Sequence, residues 1–571
     1  MKAAWTVATA LLLAGSTSAS SSNCHCLPGD DCWPTVSQWD ALNSTVGGRL
    51  IATVPVGSPC HEPTYDAAAC EQLQADWNLP ETHYLSSSSI MQQYFANQSC
   101  DPFDSKDSAC ELGNYVSYAV AVTSAEDVIE AVNFARDNNI RFVIKNTGHD
   151  YLGRSTGAGA LSVWTHQLTS VEEVTWTDDS YSGAAYKLGS GVQGYHVLEA
   201  SKGSGNVLVG GECPTVGLAG GYTMGGGHSA LSTNFGLGAD QTLSFDVVTA
   251  AGELVTASRT ENTDLYWALS GGGAGNWGVV VSLTVKAHPD AIIGGASIVF
   301  TTTNMASDLF IDAVTKFHDL LPAMIDAGTT VIYQVLPGLF YINPVTAYGK
   351  TADEVATIMT PFYEALEALG ITYKVTYTEF DSYYDHYTHY FGPLPNGHLE
   401  VGTFTYGGRL LSRDHVTSNS ADIAGVLYNL TSQSVVAVGV GLDVSQTNDV
   451  ENAIFAPWRD ALVTMQIGIS WNNTGLWSDF LEEQKHMTSE LVPQLEAVTP
   501  NGGTYQNEAD FNQPNWKSTF FGENYDRLLE VKKTWDPKNF FYVLKGVGSD
   551  YWSVAADGRM CKAKKGACSS H

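Results

Sequence analysis

Two glycine-rich stretches decide the reading of this chain: Lys145-Asn-Thr-Gly-His-Asp-Tyr-Leu-Gly-Arg-Ser155, and GGECPTVGLAGGYTMGGGHSAL from Gly210 to Leu231. Each carries one reactive side chain, His149 in the first and Cys213 in the second. Glycine lets backbone N–H groups approach a ligand closely and line up as an anion-binding nest, which is what a pyrophosphate needs. A His and a Cys held in such loops can each bond covalently to a bound cofactor. Neither loop reads G-x-G-x-x-G between a strand and a helix with an acidic residue downstream, so a Rossmann nucleotide site is not supported.

The two segments resemble the paired flavin-attachment loops of the berberine bridge enzyme-like branch of the vanillyl-alcohol oxidase superfamily. The likeness covers Tyr115 to Pro289 and returns over Tyr505 to Trp552. It implies FAD tethered at two points, with His149 bonded to the flavin 8α-methyl and Cys213 to flavin C6. It implies cofactor contacts at Asn146, Thr147, Gly148, Asp150, Gly153 and Ser155 in the first loop. In the second loop they fall at Gly217, Gly220, Gly221, Gly225 and Gly226, and beyond the loops at Gly278, Val279, Asn507 and Asn539. The implied fold is α+β, a PCMH-type FAD-binding domain plus an antiparallel-sheet substrate domain covered by helices.

Working outward, residues 115–289 are expected to form the FAD-binding domain and 290–500 the substrate domain, with 501–552 returning to the first. Ser124 is a good N-cap, with Glu126 and Asp127 in the first turn of a helix whose apolar positions are Val128, Ile129, Val132 and Ala135. That helix leads into the strand Arg141-Phe-Val-Ile144, which delivers His149. Strands are also predicted over Leu243–Thr249 and Val279–Val285. Between them, Leu269-Ser-Gly-Gly-Gly-Ala-Gly-Asn-Trp-Gly278 resembles a family turn close to the flavin. In the substrate domain the pattern predicts strands at Val331–Val335, Ile371–Phe380 and Val435–Val444, and helices from Thr351 to Leu369 and Leu476 to Val498. Asn524 is predicted to cap a helix over Tyr525–Trp535.

The ends carry a different signal. MKAAWTVATALLLAGSTSAS has a basic Lys2, an apolar run and the small residues Thr17-Ser18-Ala19, so residues 1–19 read as a signal peptide of a secreted, extracellular protein. Residues 20–114 form a Cys-rich lead-in, and 553–571 a Cys-containing tail; the clustered cysteines read as a disulfide-stapled cap of undetermined connectivity. Sequons at Asn43, Asn97, Asn429 and Asn472 fit the same route. With 60 acidic against 28 basic residues, the net charge of −32 disfavours nucleic acid and anionic membranes as partners. A monomer is expected, and no metal site, because the histidines are scattered.

The chemistry the resemblance implies is hydride transfer from an alcohol or amine carbon to flavin N5, while a protein base takes the hydroxyl proton. Tyr505, in the family-like Tyr505-Gln-Asn507-Glu-Ala-Asp510, is the candidate base; an unperturbed Tyr titrates at about 10, so this role needs a stabilised phenolate. Within Tyr383-Tyr-Asp-His-Tyr-Thr-His-Tyr390, Asp385 and His386 are further candidates for proton transfer beside aromatics that could stack on a sugar. The expected activity is a secreted FAD-linked oxidase that oxidises an oligosaccharide or other small molecule and reduces molecular oxygen to hydrogen peroxide. Two rivals stand beside it: a tailoring oxidase of a secondary metabolite, and a non-catalytic flavin-fold binding protein.

Overall fold

The computed structural model describes residues 23–447 and 449–563; the signal-peptide reading of residues 1–19 and Cys568 lie outside them. Three sheets build the body. The first has four strands in the order Leu50–Ala52, Tyr118–Ala121, Leu161–Trp164, Phe142–Lys145, and the last three run parallel. Leu161–Trp164 is buried at every position, as expected of a strand covered on both faces. Helix Ala125–Asp137 packs against this sheet through Val128, Ala131, Val132 and Ala135, and Ser124 Oγ accepts from Asp127 N at its start. The lead-in supplies the edge strand Leu50–Ala52, and Arg49 pairs with Asp127 of that helix.

The second sheet is five antiparallel strands, Val171–Thr177, Ser182–Gly189, Val279–Lys286, Thr242–Val248 and Leu254–Ser258 in spatial order. The third has seven antiparallel strands in the order Lys374–Phe380, Ile293–Thr301, Leu339–Tyr348, Thr329–Leu336, Val436–Gly441, Ala461–Ser470, Phe404–Ser412. Helices Ser307–Asp326, Ala352–Ala368 and Ser420–Ser432 cover one of its faces. Side chains alternate across a strand, so Tyr333, Val335, Ala437, Met465 and Ile467 point into this helix-covered core with Phe317 and Phe362. Burying each such side chain contributes about 1.5–3 kcal/mol of transfer free energy. Their even-numbered neighbours face the other way.

Several local readings change. The helix expected over 476–498 is Trp477–His486, a π-turn at Met487–Leu491 and then Val492–Val498. Asn524 does not cap its helix; Glu523 occupies that position, and the Asn524 amide donates to the Ala453 and Ile454 carbonyls. Four disulfides form, Cys24–Cys561, Cys26–Cys32, Cys60–Cys70 and Cys100–Cys110, the first tying the two ends of the described chain together.

Candidate functional site

The two glycine loops meet at one cavity of about 450 Å³ between the first two sheets and the seven-stranded one. Its lining includes Asn146, Thr147, Gly148, His149, Asp150, Ser155, Cys213, Gly217, Gly220 and Gly221. The first loop follows directly from strand Phe142–Lys145. Gly148 sits at φ +93°, a conformation costly for other residues, and its carbonyl accepts from Met91 N at 3.0 Å. Asp150 Oδ2 accepts from Leu152 N at 3.0 Å and Arg154 N at 2.6 Å, so the loop is stapled to itself. Beneath it lies the buried Lys145, whose Nζ donates to the His83 and Ser86 carbonyls and which burial pulls down to about 7.

His149 and Cys213 converge on one hydroxyl. His149 Nε2 lies 2.8 Å from Thr215 Oγ1, and Cys213 Sγ lies 3.4 Å from the same atom. Burial holds the imidazole neutral, pulling it down to about 3, and pushes the thiol up. Cys213 is the one unpaired cysteine among the described residues. Thr215 is itself fixed by its carbonyl, which accepts from Gln193 Nε2 at 2.7 Å.

The C-terminal segment pins the second loop. Tyr505 OH accepts from Asn507 Nδ2 at 2.7 Å and Gly227 N at 3.2 Å, and Asn507 Nδ2 also donates to the Gly221 carbonyl at 2.7 Å. Both residues line the cavity. Burial and the nearby Glu508 and Glu212 carboxylates raise Tyr505 well above the ordinary phenol range. It therefore stays protonated, and the stabilised phenolate that a Tyr505 base requires is not what this environment favours.

Other expected site residues do not reach the cavity. Gly225 is packed where a Cβ would lie 2.4 Å from Asn507 Nδ2, and Gly226 turns at φ +127° beside Tyr505, so both shape the loop from behind. Gly153 is shaped by Phe95, whose ring lies 2.3 Å from where its Cβ would be. Gly278 is wedged against Val247 and Val248, Val279 is in the core, and Asn539 forms a left-handed turn at φ 50°.

The aromatic cluster is also elsewhere. Tyr383–Phe391 is a helix, so residues spaced three and four apart face inward together: Tyr383, His386, Tyr387 and Tyr390 are buried. His386 Nε2 is 2.9 Å from Thr346 Oγ1 and its ring is held neutral by burial, whereas Asp385 points outward and accepts from Ser382 Oγ at 2.8 Å. Neither touches the cavity.

The roof is what the sequence did not single out. Gln334, Leu336, Phe404, Tyr406, Val438 and Gln466 line it, all even-numbered positions of adjacent strands. Tyr406 stacks on Tyr151 of the first loop, with ring centroids 4.0 Å apart and planes 9° apart. Also unflagged are Glu212, His228 and Glu508. No Lys or Arg is among the lining residues.

Comparison with known proteins agrees with this geometry. An FAD binding domain matches residues 116–258, and a berberine and berberine like domain matches residues 504–548. The chain is 52% identical over 544 residues to the FAD-linked oxidoreductase ZEB1 of Gibberella zeae, covering 95% of this chain and 96% of that protein. It is 44% identical over 543 residues to the FAD-linked oxidoreductase patO of Aspergillus clavatus, with 95% of each covered. The crystal structure of the VAO-type flavoprotein MtVAO615 from Myceliophthora thermophila C1 superimposes with a TM-score of 0.92 at 40% identity, over 95% of this chain and 100% of that one. Fold and site define an FAD-dependent oxidoreductase. The chain belongs to the VAO-type, berberine bridge enzyme-like family of FAD-linked oxidoreductases. The glucooligosaccharide oxidase of Acremonium strictum is more distant, 20% identical with a TM-score of 0.61 over 76% of this chain and 92% of that one, which shows the fold alone.

The residues present fit FAD. Asn146 Oδ1 is buried without a partner, and at Gly221 nothing lies within 4 Å of where a Cβ would be, leaving the backbone open to a ligand. His149 Nδ1 makes no hydrogen bond to a described residue, so this nitrogen is free to bond while Nε2 is held by Thr215.

Proposed function

We propose that this protein is an oxidase whose FAD is tethered through both His149 and Cys213, and whose substrate is a small, uncharged, largely apolar alcohol. One observation carries the tether: His149 Nε2 and Cys213 Sγ converge on Thr215 Oγ1 at the cavity wall. The flavin 8α-methyl and C6 lie along one edge of one ring, so an imidazole and a thiol held side by side at one hydroxyl, with His149 Nδ1 left to bond, suit them. The Acremonium glucooligosaccharide oxidase carries a 6-S-cysteinyl, 8α-N1-histidyl FAD, the same pair of residue types. When bound, FAD supplies a two-electron acceptor for the carbinol hydride and passes those electrons to oxygen, giving hydrogen peroxide.

The substrate class follows from the roof and from charge. Leu336, Val436, Val438 and Phe404 offer apolar contact, Gln334 and Gln466 offer neutral hydrogen bonds, and the paired rings of Tyr151 and Tyr406 form one wall. With no Lys or Arg on the lining, and His228 already paired with the Glu212 and Glu508 carboxylates, a carboxylate or phosphate ester substrate has no free counter-charge. The same absence leaves the cofactor diphosphate to the backbone N–H groups of the glycine loops. The oligosaccharide expectation retains only a fold-level likeness, and no residue of its aromatic platform, Tyr383–Tyr390, lines the cavity. Four disulfides support a secreted, extracellular protein.

The test is anaerobic spectroscopy of the purified protein with a panel of benzyl, cinnamyl and allylic alcohols beside cello- and chito-oligosaccharides. Bleaching of the flavin band by the alcohols supports this substrate class, and bleaching by the sugars alone overturns it. Mass spectrometry of a digest tests the tether, which fails if both the His149 and Cys213 peptides are unmodified.

A further inference from the structure

One buried histidine is held by two carboxylates at the cavity wall. His228, at the end of the second loop, lies between two carboxylates that come from distant parts of the chain. Its Nε2 is 2.8 Å from Glu508 Oε1, and its Nδ1 is 3.4 Å from Glu212 Oε2, within ion-pair range though off the hydrogen-bonding line. Glu212 directly precedes Cys213, and Glu508 follows Asn507. The unit therefore reaches from the tether loop to the C-terminal segment.

All three line the cavity. The His228 side chain is 10% exposed and that of Glu508 24% exposed, so the imidazole is the inner member and the carboxylate the outer one. Glu508 Oε1 is engaged by His228, and Oε2 makes no hydrogen bond to a described residue. A carboxylate with one oxygen anchored and the other facing the cavity has the geometry of a proton acceptor. Tyr505, by contrast, already accepts two N–H bonds at its hydroxyl and sits edge-on to the His228 ring, centroids 5.7 Å apart.

We propose that Glu508 is the catalytic base that takes the substrate hydroxyl proton, and that His228, held between Glu508 and Glu212, is the positioning residue that fixes the Glu508 carboxylate by its Oε1 and leaves Oε2 to the substrate. In this step the alcohol O–H bond breaks with its proton passing to Glu508 Oε2. The carbinol C–H pair leaves as hydride to the family's flavin, so the alcohol becomes a carbonyl and two electrons reach the cofactor. One imidazolium between two carboxylates leaves a net charge of −1, so a base remains after the ion pair is formed.

The electrostatics agree. Burial alone would lower His228, but Glu508 and then Glu212 raise it well above the ordinary imidazole value. The other titratable groups facing the unit are the phenols of Tyr151, Tyr222, Tyr383, Tyr387, Tyr406 and Tyr505 and the Cys213 thiol, all pushed up by burial. They remain neutral around neutrality.

The proposal rests on the cavity being the alcohol site, and its test has one readout that needs no substrate. In protein with ring-labelled histidines, the His228 resonance, assigned by its loss in His228→Gln, should show a ring still charged above the pH at which an ordinary imidazole gives up its proton, and should titrate at lower pH in Glu508→Gln. A neutral ring at pH 7, or no change in Glu508→Gln, overturns the charged unit whatever the substrate. With an alcohol that bleaches the wild-type flavin, Glu508→Gln should slow anaerobic bleaching about 100-fold or more, and Glu508→Asp should recover part of the loss. His228→Gln should slow anaerobic bleaching about tenfold or more while the alcohol concentration for half-maximal rate changes less than about twofold, a split that a loss of the pocket's shape would not give. Tyr505→Phe should cost less than about tenfold, below the range for losing a general base. If Tyr505→Phe is the slower variant, or Glu508→Gln keeps its rate, the assignment is overturned. If no alcohol bleaches the wild type, the substrate reading fails instead, and the imidazole titration still decides the unit.

Discussion

Six consecutive residues, Asn146 to Tyr151, line the cavity from one loop, whereas across the gap, in strands Thr329–Leu336 and Val436–Gly441, only alternate residues do. The floor is made of turns that need glycine, such as Gly148 at φ +93°. The roof is made of regular antiparallel strands whose even positions, Gln334, Leu336, Val436 and Val438, look into the cavity while odd positions pack on helices. A floor of this kind is restricted to a few residue types by backbone geometry, and it serves a constant ligand. The roof admits almost any side chain at its even positions without disturbing the core behind it. On the proposed reading, cofactor chemistry and substrate choice are carried by different halves of the molecule.

This division can be broken in graded ways. The largest effect belongs to the floor: His149→Ala with Cys213→Ala should abolish covalent flavin, so that acid-precipitated protein is colourless, while the roof is untouched. Retained colour in that pellet would show that neither loop holds the cofactor covalently. On the roof, Val438→Phe should lower kcat/KM for the alcohol that bleaches the wild type by about tenfold or more, since small volume changes in a pocket are worth about 1–3 kcal/mol. Flavin attachment, read by mass spectrometry, should be unaltered. Equal damage to both readouts would mean the halves are not separable.

A smaller effect probes the floor's geometry. Gly148→Ala forces a side chain into a left-handed conformation and should cost about 1–3 kcal/mol. A lowered Tm together with reduced flavin content would show that the turn and the cofactor share one constraint. The smallest effect falls outside both regions: Asp385→Asn, on the exposed side of its helix, should leave flavin reduction within about twofold and change stability by under about 1 kcal/mol. A large loss of rate in that variant would return the Tyr383–Tyr390 segment to the site.

Much of the floor was legible because its message is local. His149 and Cys213 stand out inside short glycine-rich stretches, and both line the cavity, as do Asn146, Thr147, Gly148 and Asp150. Gly278, Val279 and Asn539, read from the same resemblance as cofactor contacts, do not line the cavity and hold packing or turn positions. The local reading misjudged Tyr383–Tyr390, where reactive residue types are adjacent in sequence but helical periodicity sends Asp385 outward and His386 into the core. Glu212, His228 and Glu508 show the opposite failure. Each lay inside or beside a stretch already singled out, yet nothing local marks them as partners.

The sequence by itself determined which loops are constrained, because a left-handed turn or a close backbone approach restricts residue type wherever it occurs. It determined the alternation of the roof strands and the capped helix Ala125–Asp137 for the same reason, since period and capping are properties of neighbouring residues. Only the tertiary structure decided which face of the roof looks into the cavity, that Leu50–Ala52 joins the first sheet, and that a carboxylate at 508 meets an imidazole at 228. Those are contacts across long stretches of chain. They depend on how whole sheets pack, and no local pattern encodes a distance between residues that only packing brings together.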